Sequence, residues 1–307
     1  MAQDIGGESE PRAGRGIPRR DLAKIAGFVL FAGGYYYVTG HGPRQNNASN
    51  PSVPDPNREL AALAAANQDK PIVGNAPGHY PKRAIDLVSG ATNLIVITYK
   101  RTDVASIGTA WKAQLGERVD SDEITLATAG HVLTEHGQHS LADIDAIWVG
   151  HPFTSDSFTS LDPRLVRTEL ASDGTRPDAA HDSGVIRMPL HIAPHQLAKA
   201  SALRLASPSE IQPGTPLLVA GVPTVFVSQF DAAGLETTPL YAQVMPPKQS
   251  AVVPSGCFGL HGLSGAGVSG ASVVGPEGQV VGLVVDYVIA DPYTTVAATT
   301  DTLRQFA

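Results

Sequence analysis

From Asn93 onward the chain is a succession of short apolar or alternating runs separated by turn signals, and nothing else in the sequence constrains the fold as tightly. The runs are Asn93–Tyr99, Glu123–Thr128, Ala146–Val149, Leu165–Leu170, Pro216–Val222, Val225–Phe230, Pro239–Val244, Val268–Val274, Val280–Val285 and Thr294–Ala298. Strands of about five or six residues at this spacing build a sandwich or barrels. With 31 Gly and 24 Pro among 307 residues, the chain is rich in turn formers. Pro276-Glu277-Gly278 is the expected hairpin turn, with Gly supplying the positive-φ position. Helical periodicity is confined to Arg58–Gln68 and Thr302–Phe306, and no Rossmann or phosphate-loop glycine motif occurs. The predicted fold class is therefore all-β.

Composition narrows the function. Hydrophobic residues make up 42% and charged residues 17%, which supports a substantial core and excludes a largely disordered chain. The net charge is −7 with no basic stripe, so nucleic acid is not an expected partner. The one cysteine, Cys257, permits no internal disulfide, is too few for a zinc ribbon, and reads as a small buried apolar residue.

The N-terminus reads as a targeting or anchoring segment. Residues 1–24 are polar and carry Arg12, Arg15, Arg19, Arg20 and Lys24, whereas Ile25 to Pro43 carries no charge. At about 1.5 Å per residue that stretch spans about 28 Å as a helix, close to the hydrocarbon thickness of a bilayer. Tyr35, Tyr36 and Tyr37 fall toward its outer end, where aromatic rings favour the interface. A single transmembrane anchor is the preferred reading. A cleaved export signal is the second, since Arg19-Arg20-Asp21-Leu22-Ala23-Lys24 is similar to the twin-arginine motif, but Val38-Thr39-Gly40 is only a weak cleavage site. A buried helix of the domain is the third and weakest. By the positive-inside bias, the first two put the remaining chain outside the cytoplasm, in the periplasm or at the cell surface. Residues 44–85 read as a linker with a short helix and 86–307 as the folded domain, its halves near 86–200 and 201–300.

Three elements carry chemistry. Thr128-Ala129-Gly130-His131-Val132 puts a histidine just after a strand, beside a cleft, where an imidazole can move a proton. His181-Asp182-Ser183-Gly184-Val185-Ile186 opens another strand with an aspartate that could orient that histidine. Asp143, Asp145, Asp173 and Asp178 compete on spacing alone. Gly259-Leu-His-Gly262-Leu263-Ser264-Gly265-Ala266-Gly267 is a glycine-rich segment able to expose a serine Oγ and aim backbone N–H groups at an oxyanion. Gly262 and Ser264 are the natural donor pair.

Taken in this order, the elements resemble the trypsin-like (chymotrypsin-fold) serine proteases. Thr128-Ala-Gly-His131 departs by one small residue from that family's histidine motif, and Asp182-Ser-Gly-Val-Ile fits its aspartate motif. Gly262-Leu-Ser264-Gly-Ala-Gly-Val matches the serine motif with Leu263 in place of the usual Asp and Ala266-Gly267 in place of Gly-Pro. Ser106-Ile-Gly-Thr-Ala-Trp111, Ile211-Gln-Pro-Gly-Thr-Pro-Leu-Leu-Val-Ala-Gly-Val-Pro223 and Gln279-Val-Val-Gly282-Leu-Val-Val are similar to further segments of bacterial members.

The resemblance implies two six-stranded antiparallel β-barrels, a polypeptide substrate, and no metal or cofactor. It makes Ser264 the nucleophile, His131 the general base and Asp182 its orienting acid. It puts Phe258 at the base of the primary specificity pocket and His261 at its entrance, with Val285, Asp286 and Tyr287 along the substrate backbone. Leu263 removes the zymogen switch in which an Asp before the serine pairs with a freed amine. An α/β-hydrolase is disfavoured because the histidine precedes the serine and Gly262-Leu-Ser264-Gly-Ala266 lacks the last glycine of its elbow. A metalloprotease built on His131, Glu135 and His136 lacks the required spacing. A catalytically inactive binding module on the same fold is the remaining alternative.

Overall fold

The computed structural model describes residues 72–74, 82–102, 104–116, 122–150, 159–171, 179–207, 217–222, 241–245, 247–248, 253–261, 267–275, 277–288 and 291–307. They are mostly β, with a few short helices. In chain order the first half holds β1 (Ile72–Gly74), α1 (Lys82–Ala91), β2 (Thr92–Tyr99), β3 (Ala105–Gln114), β4 (Glu123–Thr128) and α2 (Gly130–Thr134). β5 (Ile144–Gly150), β6 (Thr159–Leu161), β7 (Arg167–Leu170), β8 (Gly184–Pro189), α3 (His195–Lys199) and β9 (Leu203–Arg204) follow. The second half holds β10 (Leu217–Gly221), β11 (Tyr241–Met245), β12 (Pro247–Lys248), β13 (Cys257–His261), β14 (Ser272–Val274), β15 (Val280–Val288), β16 (Asp291–Thr299) and α4 (Asp301–Arg304).

These strands form two sheets. One runs β6-β5-β2-β3-β4-β8-β7, with β9 beside the end of β3; the other runs β1-β11-β10-β14-β15-β16-β13-β12. All pairings are antiparallel except β1 with β11 and β3 with β9.

Strand β2 shows why the sequence folds this way. Every residue from Thr92 to Tyr99 is buried, so both faces of the strand are covered and its sequence is apolar almost throughout rather than alternating. Ile95, Ile97 and Tyr99 join Leu126, Leu133, Ile147, Ile186 and Met188 inside the first sheet. Leu94 and Val96 face the other way, into a cluster with Trp111, Leu218, Leu283, Val296 and Phe306 that bonds the two halves. Each such side chain contributes about 1.5–3 kcal/mol on burial. A third cluster, with Val219, Leu260, Val268, Val273 and Val284, fills the second sheet.

The halves also meet through polar contacts, chiefly those of Thr109 of β3. Its N–H donates to the Ser269 carbonyl at 2.8 Å. Its hydroxyl donates to the Gly267 carbonyl at 2.8 Å and accepts the Val222 N–H at 2.9 Å. Its carbonyl accepts the Thr128 hydroxyl at 2.7 Å. Gly270, at φ 89°, comes so close that a Cβ there would stand 2.1 Å from the Thr109 carbonyl oxygen.

Several local expectations differ from what forms. Helix α1 arises where no helix is expected, across the end of the predicted linker. β1 lies within the segment predicted as linker. Cys257–His261, not among the predicted strands, pairs with β16. Residues 268–271 are a turn, because Gly267 and Gly270 take positive φ, and the strand begins only at Ser272. The 25–43 segment, the 58–68 helix and the Val225–Phe230 run lie outside the described residues. No helix among the described residues is long and apolar enough to cross a membrane.

Candidate active site

The pairing of β4 with β8 sets the site. Thr128, the last residue of β4, stands opposite Gly184, the first of β8. His131 lies three residues beyond that end of the pair and Asp182 two residues before it, so both emerge at the same edge. His131 Nδ1 meets Asp182 Oδ2 at 2.5 Å, and the His131 backbone N–H donates to Asp182 Oδ1 at 2.7 Å. One carboxylate thus holds both the ring and the main chain of the histidine. Both residues are buried, His131 at 8% and Asp182 at 5% exposure.

Gly130 makes room for this contact. A Cβ there would lie 3.0 Å from Asp182 Oδ1 and 3.3 Å from the Ser183 carbonyl. The glycine that departs from the family motif therefore sits where the carboxylate approaches the backbone. Burial works against protonation of the His131 ring. The Asp182 carboxylate outweighs it by charge and by hydrogen bond, and Asp286 and Glu135 add to the field, so the imidazole's pKa stands above the ordinary histidine value.

The turn after α2 crowds further titratable groups around this ring. His136 stacks on His131 with centroids 4.6 Å apart and planes 12° from parallel. Burial pushes the Glu135 carboxyl up to about 7, against the pull of His131 and of a hydrogen bond with Ser106. Burial of its inner face and the His131 charge hold His136 below the ordinary value, opposed by Asp182. Rings in parallel planes cannot aim their in-plane lone pairs at one ion, and no group of three metal-ligating side chains forms among the described residues.

The other candidates fall as follows. Asp286 is exposed on β15, just after a β-bulge between Val284 and Asp286 that takes Val285 out of register. Val285 is buried in the cluster between the halves. Phe258 is half-buried, its ring over Gly282 of β15, where a Cβ would come within 2.6 Å of it. Backbone pairing aligns His261 with Thr294 and Tyr287 with Thr295. Gly262 and Ser264 lie outside the described residues, as do Asp173 and Asp178. Asp145 is exposed, and Asp143 is tied to Ser140 at 2.7 Å. Among the described aspartates, His131 pairs with Asp182. Thr109 and the stacking role of His136 are not foreseen by sequence. The repeated small residues at 265–271 are the signal that a close approach such as that at Thr109 was needed.

No protein-family model and no curated protein matches the chain in sequence. Solved structures do match in shape. A thermostable serine protease, AL20, from an extremophilic microorganism superposes with a TM-score of 0.51 at 14% identity, over 71% of this chain and 94% of that one. The Rv3671c protease of M. tuberculosis in its active form gives 0.47 at 16% identity, over 86% and 91%. Deg5 gives 0.48 at 10% identity, over 73% and 90%. With its two sheets meeting at Thr109, the chain shares the fold of the AL20 serine protease.

Proposed function

We propose that this chain is a serine endopeptidase that hydrolyses peptide bonds through Ser264, His131 and Asp182. The observation that carries the reading is the buried His131–Asp182 pair, held at 2.5 Å. Gly267, three residues after Ser264, is fixed by the hydrogen bond from Thr109 to its carbonyl. Gly270 packs against Ala129 N and Thr128 Oγ1, two and three residues before His131.

The chemistry follows from the roles. Ser264 Oγ attacks the carbonyl carbon while His131 Nε2 takes its proton. Asp182 holds Nδ1–H and favours the imidazolium that forms. The Gly262 and Ser264 N–H groups receive the oxyanion. The imidazolium then gives its proton to the leaving amine, and water repeats the sequence on the acyl-enzyme. The finer architecture we read is a barrel formed from each sheet, with more strands in each path than the six expected, the site at their junction, Phe258 under the primary pocket and His261 at its entrance. Val285, Asp286 and Tyr287 would flank the substrate backbone. An apolar pocket base disfavours Lys or Arg at the cleaved position. We also read residues 25–43 as a membrane anchor or export signal that sets the domain outside the cytoplasm, with Leu263 making it independent of N-terminal activation.

Labelling by a fluorophosphonate probe tests the activity. The protein is expected to be labelled and the Ser264→Ala variant not. Folded protein that resists labelling would point instead to an inactive binding module.

A further inference from the structure

We propose that His136 is a positioning residue, whose ring lies flat on the His131 imidazole, holds it in the orientation bonded to Asp182 and keeps water off that face. The catalytic consequence rests on the serine-protease reading above; the positioning itself does not.

Backbone geometry is the first support. Glu135, His136 and Gly137 take φ of 48°, 56° and 76°, three left-handed residues in a row, two of them not glycine. Such conformations persist in L-residues only where the surroundings enforce them, and they gather at functional sites. The enforcement here is visible. The His136 N–H donates to the His131 carbonyl at 3.1 Å, and the His139 N–H to the Thr134 carbonyl at 2.9 Å. The Gly137 N–H donates to Thr134 Oγ1 at 3.1 Å. His139 stacks on Tyr99 at 4.3 Å, and Tyr99 in turn donates to the Val132 carbonyl at 3.3 Å. An ordinary helix end would carry residue 136 away from His131; this turn folds it back.

Exposure is the second support. His136 is itself exposed whereas His131 beneath it is buried, as expected of a ring serving as a cover. The third is geometric. Asp182 restrains His131 through one ring nitrogen, which still allows the ring to pivot about that contact. A parallel ring at van der Waals distance blocks the out-of-plane pivot, while leaving the far ring edge, with Nε2, free. The charged and titratable groups acting on the stacked pair are Asp182 before β8, Asp286 from β15 and Glu135 on the turn itself.

The test compares His136→Gly, which removes the ring yet accepts the left-handed φ, with His136→Phe, which keeps a flat ring. His136→Asn serves if the glycine variant fails to fold. Two readouts are taken on the full chain: the fluorophosphonate labelling rate and the downfield proton resonance of His131 Nδ1–H. In His136→Gly the labelling rate is expected to fall about tenfold or more, and the resonance to broaden by exchange with water. His136→Phe is expected to restore the resonance and most of the rate. A resonance unchanged in His136→Gly overturns the proposal, whatever the rate does. A resonance lost in both variants also overturns it, since a flat ring then is not what matters. Parent protein that resists labelling defeats the proposed activity, and the resonance alone then decides the role of His136.

Discussion

Replacing Asp182 by Asn changes one atom and inverts one hydrogen bond. In the parent, Oδ1 accepts the His131 backbone N–H at 2.7 Å and Oδ2 faces Nδ1 at 2.5 Å. An asparagine can keep its oxygen on the backbone N–H, but its NH₂ then faces Nδ1. The imidazole must carry its proton on Nε2 to accept from that amide, and Nε2 is the atom that has to receive the serine proton. The imidazolium also loses its buried counter-charge. Together these effects are expected to lower reactivity by about four orders of magnitude, or about 5 kcal/mol of barrier. Folding should suffer far less, by about 1–2 kcal/mol, since charge-assisted bonds become neutral ones. The assay is the rate of fluorophosphonate labelling, alongside urea unfolding of the same preparation. Asp143→Asn, a half-buried residue bonded to Ser140, is the matched control and should label at the parent rate. An Asp182→Asn protein that is folded and labels within about tenfold of the parent would falsify the tautomer argument.

Three further outcomes can be checked on the same preparations. Gly270→Ala must place a methyl 2.1 Å from the Thr109 carbonyl oxygen at φ 89°, so a loss of about 3–5 kcal/mol is expected in urea unfolding; a loss below about 1 kcal/mol contradicts the packing at the seam. Glu135 has its folded pKa raised to about 7 from 4.5, so the stability it contributes is complete below the lower value and is lost as pH rises through the upper one. Glu135→Gln removes that loss and should improve stability at pH 7 relative to pH 4.5 by up to about 3 kcal/mol over the parent; parallel pH curves contradict this. Lys112 donates to the carbonyls of Leu197, Ala198 and Ala200 at 3.1, 3.0 and 2.8 Å, closing the end of α3. Lys112→Met leaves those acceptors without that partner and should cost about 1–3 kcal/mol, read as a lower urea midpoint at an unchanged slope.

Local pattern was enough to read much of this chain. Glu123–Thr128 forms the strand that its alternation predicts, and Val280 opens the strand expected there, because period and turn residues act within a few residues of one another. Ile25–Pro43 stands out by composition in the same local way, whatever its use. Patterns failed where distant partners decide. Val268–Ala271 has strand composition but forms a turn, since Gly270 must pass the Thr109 carbonyl of the other half. α1 is a different case: Ala84, Val88 and Ala91 recur at the i, i+4, i+7 spacing of an amphipathic helix too short to stand out, and that face is buried in the cluster shared by both sheets.

The candidate site divides along the same line. Residue type and order made His131 and Asp182 candidates, but four other aspartates fitted as well. Only the β4–β8 register, with Thr128 opposite Gly184, brings Asp182 to His131. Gly130 is merely a small residue in sequence; in the fold its missing Cβ is the space the carboxylate enters. Glu135 and His136 carry no motif, because their effect comes from three left-handed residues that fold the chain back over the imidazole. Sequence alone determined the strand class of the chain and the chemical inventory. Tertiary structure decided which of those groups meet, because contacts between residues 51 positions apart, as between His131 and Asp182, depend on sheet register and close backbone approach rather than on neighbouring residues.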